Sequence, residues 1–436
     1  MGLTLALELA RRGHSPLVLE RSSDLVSGCS AGSAGLLSAA HSTPLATPSA
    51  LQEGVRYMFR SDTPFAMTPR AELVPWIARF IVACRPAQVR RGIELTQQLS
   101  TASLEMHAAL FEEGLDTGFH RSGVLDVYET EHGFELGKRE AVDHRRAGLD
   151  SSILESLDAR DLQPALSSAI AGAIHYPGDG HCDPALYLRA IADAAREAGA
   201  KIETGVDVKD LRLDRRRVTL IETSRDRIQP GTVIIAAGAW TPRLAHSLPV
   251  RVPIQGGKGY HVDLERRGSD PGLPIYMQEA RVIATPMQNA LRLAGTLQLS
   301  GLDMSVAASR VRAVFEAGTR TLTGINQERV RTTWRGIRPC TPDGLPMIGP
   351  SRAVDNVVFA TGHAMKGLHL APVTARIVAD LLEGRRPTYD TTALLPDRFR
   401  WSRANHHART PTPHDDATRI SRRLGGRAES VGGREQ

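Results

Sequence analysis

The residues suited to chemistry in this sequence are few and far apart. Glu20 closes the apolar run "PLVLE" (residues 16–20), and a carboxylate at a strand end can accept both hydroxyls of a ribose. Arg338 in "GIRPCTPDG" offers a guanidinium, the planar two-pronged match for a carboxylate, with a pair to Asp343 as its internal alternative. Tyr260 and Tyr276 can add a phenol donor to such a site, or serve as core residues with a polar tip. "GHAMKGLHLAP" (residues 362–372) sets Gly362 and Gly367 around a strand end. A helix starting near Lys366–Gly367 would aim its free amides and positive dipole end at developing negative charge. His41 stands in a polar loop, where a structural role suits it as well as a chemical one. No metal-ligand spacing is present, because Cys29, Cys84, Cys182 and Cys340 are scattered without a C-x-x-C pair.

Elements must bring these residues together. "MGLTLALELARRG" reads as an Ala/Leu-rich helix stopped by Arg11, Arg12 and Gly13, and "SPLVLE" as a short buried strand. Helix, glycine turn and strand ending in an acid make the second half of a dinucleotide-binding βαβ unit, with Gly2 as the last glycine of its phosphate turn. The glycine- and serine-rich stretch after Glu20 is long enough to need a ligand to order it. Its Ser33, Ala34, Gly35 and Leu36 are small enough to let backbone amides approach a flat ring or a pyrophosphate.

Further along, the patterns predict helices over 90–113, 132–148, 306–322 and 366–384, and one capped by Asp183 with Pro184 in its first turn. "GTVIIAAGAW" (residues 231–240) is a strand buried on both faces, ending in Ala237, Gly238 and Trp240 where ligands of open α/β sheets lie. Between residues 252 and 299, strand-like runs alternate with turns, as in an antiparallel sheet. The fold class is α/β. A doubly wound Rossmann-like domain (1–85, 176–248 and 340–396) interleaves with a sheet-and-helix substrate domain (86–175 and 249–339), and a disordered basic tail (397–436) follows.

Composition narrows the class. With 436 residues, 41% hydrophobic and 23% charged, the chain supports two packed domains and contains no run of transmembrane length. Its start lacks the basic lead of a signal peptide and carries Glu8, so a cytoplasmic location is expected, with peripheral membrane contact left open. The net charge of +6 is concentrated at the end: from Arg400 on, eight arginines face four acids. A solvated terminus accounts for that charge without a nucleic-acid partner.

Seven blocks in order resemble the D-amino-acid oxidase superfamily of FAD-dependent amine oxidoreductases over roughly residues 1–399. They are "LVLER", "SAGSAGLLSAAHSTP", "GDGHCDPALYLRAIADAAREAGAKI", "VIIAAGAWTPRLA", "PIQGGKGYHVDL", "WRGIRPCTPDGLPMIGP" and "NVVFATGHAMKGLHLAP". The nearest likeness is to the bacterial D-amino-acid dehydrogenase group. The resemblance implies noncovalent FAD, with Glu20 and Arg21 on the adenosine ribose side, Ser33 to Leu36 and His41 near the flavin, and Val208, Ala237, Gly238, Trp240, Gly336, Gly362, His363, Lys366, Gly367 and Leu368 completing the cofactor set. It implies Arg338, seconded by Tyr260, at the substrate carboxylate, and hydride transfer from Cα to the flavin with a quinone or other acceptor. Oxidases of glycine or sarcosine type are the alternative. Met365 stands where glycine oxidases of this family resemble an arginine, which counts against that pocket. Family members have a strand and two further glycines before the equivalent of Gly2, so the expectation is a longer biological chain; a flavin-free fragment is the reading from another class.

Overall fold

The computed structural model describes residues 1–57 and 65–399. The expected basic tail from residue 400 on lies outside them, but its first residues do not behave as a tail. The turn Pro396–Phe399 is packed, with Phe399 buried and Arg398 bonded to Asp343.

A nine-stranded sheet dominates. Its order runs Val330–Cys340, Gln255–Glu265, Ala290–Leu299, Val282–Pro286, Ile275–Met277, Val124–Tyr128, Gly172–Tyr176 and Ser152–Glu155, with Phe65–Met67 joined to Ala290–Leu299. Pairing is antiparallel except at Ile275–Met277 with Val124–Tyr128 and at Phe65–Met67. The strands alternate, and the two faces differ in kind. Val262, Leu264, Leu291, Leu293, Ile275 and Met277 point one way and bury against Val314 and Ala317 of the helix Ala308–Thr321. The facing pairs Gly259–Gly336, Gly257–Arg338, His261–Trp334 and Asp263–Arg292 belong to the other face.

Smaller sheets complete the α/β arrangement. Leu17–Glu20 runs parallel to Lys201–Thr204, and Val233–Ile235 parallel to Val357–Thr361. Leu17–Glu20 is half-buried rather than buried, because it is hydrogen-bonded to a neighbour on one edge. Helices Gly2–Arg11, Pro184–Glu197 and Ala371–Leu382 cover these strands. Asp183 caps the second of them, accepting from the amides of Ala185 (2.9 Å) and Leu186 (3.3 Å).

Two expectations need correction. The helix Pro86–Glu112 does not belong with the large sheet. Its Leu99, Leu104 and Ala108 pack on the helices Gly2–Arg11, Pro184–Glu197 and Ala371–Leu382, so segment 86–175 is split between layers. The last helix starts at Ala371, not near Lys366. Ala364 has φ 48°, and separate turns (Lys366 N to His363 O, Leu370 N to Lys366 O) precede the first helical residue. Pro372 in its first turn marks that start, since a missing amide costs nothing there.

Candidate functional site

A cavity of about 550 Å³ runs between the strand Leu17–Glu20, the strand Val233–Ile235 and the second face of the large sheet. That volume lies within the roughly 300–1,000 Å³ of ligand clefts. Gly2 and Glu20 line one end. One Glu20 oxygen accepts from Ser22 N at 2.8 Å, which fixes the carboxylate and leaves its second oxygen without a hydrogen bond among the described residues. Beside it the Arg21 guanidinium lies 3.7 Å above the Trp240 ring, giving a flat wall suited to a planar ring. Val208, Ala237 and Gly238 continue that wall.

The glycine-rich loop forms the next side, through Gly28, Cys29, Gly32 and Ser33. Three consecutive carbonyls hold it to the sheet. Arg292 Nη1 donates to Ala31 O (2.9 Å) and Ser33 O (3.0 Å), and His261 Nδ1 donates to Gly32 O (3.0 Å). Asp263 grips the other side of Arg292 with both oxygens, at 2.8 and 2.9 Å. Burial raises the Asp263 carboxyl, but Arg292 outweighs it and leaves the pKa lowered; burial and Arg292 together pull His261 to about 4. His261 is therefore neutral, its one proton fixed on Nδ1 by a carbonyl that can only accept. A peptide N–H points opposite to its C=O, so this latch turns the amides of Gly32 and Ala34 away from Arg292. Ala34, Gly35 and Leu36 do not themselves line the cavity. Gly35, at φ +67°, sits where a side chain would strike the Cys182 carbonyl, and Leu36 pairs with His181.

The sheet supplies a glycine floor. The Arg338 side chain lies over Gly259 and the Trp334 indole over Gly336 and Gly32, so a Cβ at any of the three would collide. Gly336 thus makes room for Trp334 and, contrary to what the resemblance implied, does not line the cavity; Trp334 and Arg338 do. Trp334 also stacks on His261, with ring centroids 5.1 Å apart. Arg338 Nη1 donates to Thr296 O at 2.5 Å and does not pair with Asp343, which is taken by Arg398. Among the described residues its remaining donors make no hydrogen bond, and the side chain lines the cavity.

Tyr260 is a correction. It sits on the opposite face of the same strand, 1% exposed, with its hydroxyl accepting from Ala307 N at 3.3 Å. Tyr276 lies on the site face of the sheet without lining the cavity: burial raises its phenol, Arg281 opposes that by charge and hydrogen bond, and its ring lies 5.0 Å from that of His41.

His41 is pinned outside the cavity wall. Its Nε2 faces Asp126 (2.9 and 3.1 Å), and its Nδ1 faces Ser38 Oγ (2.7 Å), whose hydroxyl donates in turn to Asp179. With Ser38 donating to Asp179, both imidazole nitrogens face acceptors, an arrangement that favours the charged form of His41. Burial pulls its pKa down, but Asp126, by charge and hydrogen bond, and Asp179 leave it raised.

At the remaining side the turn 363–368 presents His363, Gly367 and Leu368 to the cavity. Among the described residues, the amides of Gly367 and Leu368 donate no backbone bond. Gly362 lies behind, its φ of +77° allowing the chain to turn beside Thr341 and Met347. Lys366 also lies behind the wall: its amine is buried without a partner, and burial pulls it to about 7. Free amides, a carboxylate with one open oxygen and a flat cationic wall around one elongated cavity fit a dinucleotide. Cys340 and His41, the two side chains conceivable as covalent anchors, do not line it.

Arg292, His261, Asp263 and Trp334 were not singled out from sequence. Their signal was present: polar residues at alternate positions of otherwise apolar strands mark a face turned toward a polar site.

Comparison with known proteins agrees with this geometry. The model of the family DAO, FAD dependent oxidoreductase, matches residues 1–381. A D-amino acid dehydrogenase from Cereibacter sphaeroides is 26% identical over 415 residues, covering 92% of this chain and 93% of its own. Among solved structures, glycine oxidase from Geobacillus kaustophilus is similar with a TM-score of 0.73 and 25% identity, over 92% of this chain and 96% of that one. L-proline dehydrogenase from P. horikoshii shares the fold at a TM-score of 0.70 and 20% identity, over 91% and 94%.

Proposed function

Since this chain belongs to the DAO family of FAD-dependent oxidoreductases, we propose that it oxidises a D-amino acid to a 2-oxo acid and ammonia. When bound, the flavin supplies the hydride acceptor for the substrate Cα–H, with a quinone or other oxidant taking the electrons and water hydrolysing the imino acid. The residues supply position. Arg338 holds the substrate carboxylate as a two-pronged pair, and Tyr276 adds a donor beside it. The glycine floor lets that guanidinium lie flat, so the substrate rests close to the sheet. The Arg292–Asp263–His261 latch fixes the loop Ala31–Ser33, Glu20 would hold the ribose hydroxyls, and the amides of Gly367 and Leu368 would stabilise negative charge on the reduced flavin. Trp334 and the loop exclude water from the space between. We assign the small sheets and their helices to the cofactor lobe and the large sheet to the substrate lobe.

One observation carries this reading: Arg338 and Glu20 line the same elongated cavity from opposite lobes. D-amino-acid-dependent reduction of an artificial dye tests it. Activity with D-amino acids that disappears in Arg338→Leu, while FAD remains bound, supports the proposal; full activity in that variant contradicts it. The likeness to glycine oxidase favours a second reading, oxidation of glycine or a secondary amine by oxygen. Peroxide formed at the rate of substrate loss distinguishes it.

A further inference from the structure

The turn 363–368 carries an amine for which the fold supplies no partner. The backbone of Lys366 is fixed: its N–H donates to His363 O (2.9 Å), and its carbonyl accepts from Leu370 N (2.8 Å). Met365 and Gly367, on either side of it, line the cavity. Its Nζ is buried and makes no hydrogen bond among the described residues. An ammonium has three donors and accepts nothing, so burial without an acceptor favours the neutral amine, a base with an open lone pair. Lys258 shows the opposite outcome on the far face of the large sheet. Its side chain is also buried, yet Asp303 (2.6 Å) and Ser305 O (2.9 Å) hold it as an ion pair.

The groups around Lys366 favour the neutral state too. On its own turn, burial pulls His363 to about 3 and His369 well down, and His107 of the helix Pro86–Glu112 is drawn to about 4. On the loop side stands His41, whose charged form Asp126 and Asp179 favour and whose charge Lys366 opposes. Those two carboxylates are engaged by His41, Gln278 and Ser38. Burial is then unopposed at Lys366 and carries it to about 7. His41 also gives the amine its place. The Tyr276 ring lies 5.0 Å from His41, and the Arg338 charge acts on the Tyr276 phenol, so Lys366 belongs to the end of the cavity where Arg338 stands.

An amino acid arrives with its nitrogen as an ammonium, and that nitrogen needs its lone pair before hydride can leave Cα. We propose that Lys366 is the base that takes this proton, through one water at the turn 363–368, an inference that rests on the function proposed above. The step balances: the substrate N–H bond breaks, the water passes a proton on to form the Nζ–H bond, and the electron pair left on nitrogen closes the C=N bond of the imino acid. One positive charge moves and none is created. Arg338 and a charged His41 nearby both disfavour the substrate ammonium, which assists the transfer.

Two measurements test this. Lys366 is one of five lysines, so carbon-13 NMR of lysine-labelled protein can follow its side chain, assigned by its loss in Lys366→Met. Its titration should centre near 7, in flavin-free protein as well as loaded. The second is the pH dependence of flavin bleaching by a D-amino acid in flavin-loaded wild type, Lys366→Met and Lys366→Arg. Wild-type kcat/KM should climb about tenfold per unit below pH 7 and level above it. Both variants should lose that limb and fall about a hundredfold at pH 8, arginine included, because it keeps a cation but cannot accept a proton. An NMR midpoint near 10, or bleaching with unchanged rate and pH profile in Lys366→Met, overturns this proposal alone. So does a raised KM in Lys366→Met that Lys366→Arg restores, which would assign the amine to the substrate carboxylate. Wild-type flavin that no D-amino acid bleaches overturns the D-amino-acid reading and this proposal with it.

Discussion

Two sides of the cavity are built on opposite terms. Around Arg292, on the sheet side, the polar groups are paired: Arg292 binds two carbonyls and both oxygens of Asp263, His261 binds a third carbonyl, and Trp334 stacks on His261. On the side of the turn 363–368, two amides and the Lys366 amine have no partner among the described residues. A buried polar group without a partner costs about 1–3 kcal/mol, so such groups survive where a ligand completes them. The paired cluster around Arg292 is scaffold; the open donors, of Arg338 on the sheet and of the turn 363–368, are where binding is felt.

Substitutions can break or sharpen that contrast. The largest effect belongs to Arg338, whose open donors the proposed function sets against the substrate carboxylate. Arg338→Leu should lower kcat/KM for a D-amino acid about 10²–10³-fold with FAD content unchanged, as steady-state dye reduction will show. Arg292 comes next. Arg292→Met strands Asp263 and two loop carbonyls, and breaking a buried pair costs about 3–5 kcal/mol. FAD affinity, read by flavin fluorescence, should fall about a hundredfold, while Arg292→Lys, which keeps the charge but not the fork, should lose about tenfold.

Lys366 yields a pH signature. Its amine titrates near 7 in the folded chain against 10.5 ordinarily, so between those values the unfolded chain binds more protons. Stability of the flavin-free protein should therefore rise as pH climbs from about 7 toward 10 and be lost as it falls back. Thermal melts of Lys366→Met should lack that slope and start from a higher midpoint at pH 7. The smallest effect is expected at Tyr260. Its hydroxyl serves Ala307 on the far face, so Tyr260→Phe should change turnover less than about twofold, whereas Tyr276→Phe should cost more.

What the sequence revealed follows physical lines. Asp183 with Pro184 announced a helix start because capping is local chemistry, and the structure has that cap. Glu20 and Arg338 stood out as charged groups beside apolar or glycine-rich runs, and the structure sets both in the lining of one cavity. Tyr260 was misjudged because strand parity decides its face, and "QGGKGY" hides parity behind glycines that side chains from the neighbouring strand and loop cover. Gly336 was misread for the same reason: the need for glycine there arises from Trp334, two residues earlier. The Arg292 latch joins residues some 260 positions apart, and no local pattern records a side chain's bond to a distant carbonyl. The late start of the last helix was visible in Pro372, yet the glycines before it drew the boundary forward.

The central claim is that both lobes meet around a single flavin with Arg338 beside it. Anaerobic titration of the FAD-bound protein with a D-amino acid, followed by visible absorbance, addresses that claim most directly. The flavin bands should bleach with the D-amino acid in the wild type and persist in flavin-loaded Arg338→Leu at the same concentration. Protein that takes up no flavin, or bleaching that survives the loss of Arg338 undiminished, would contradict it.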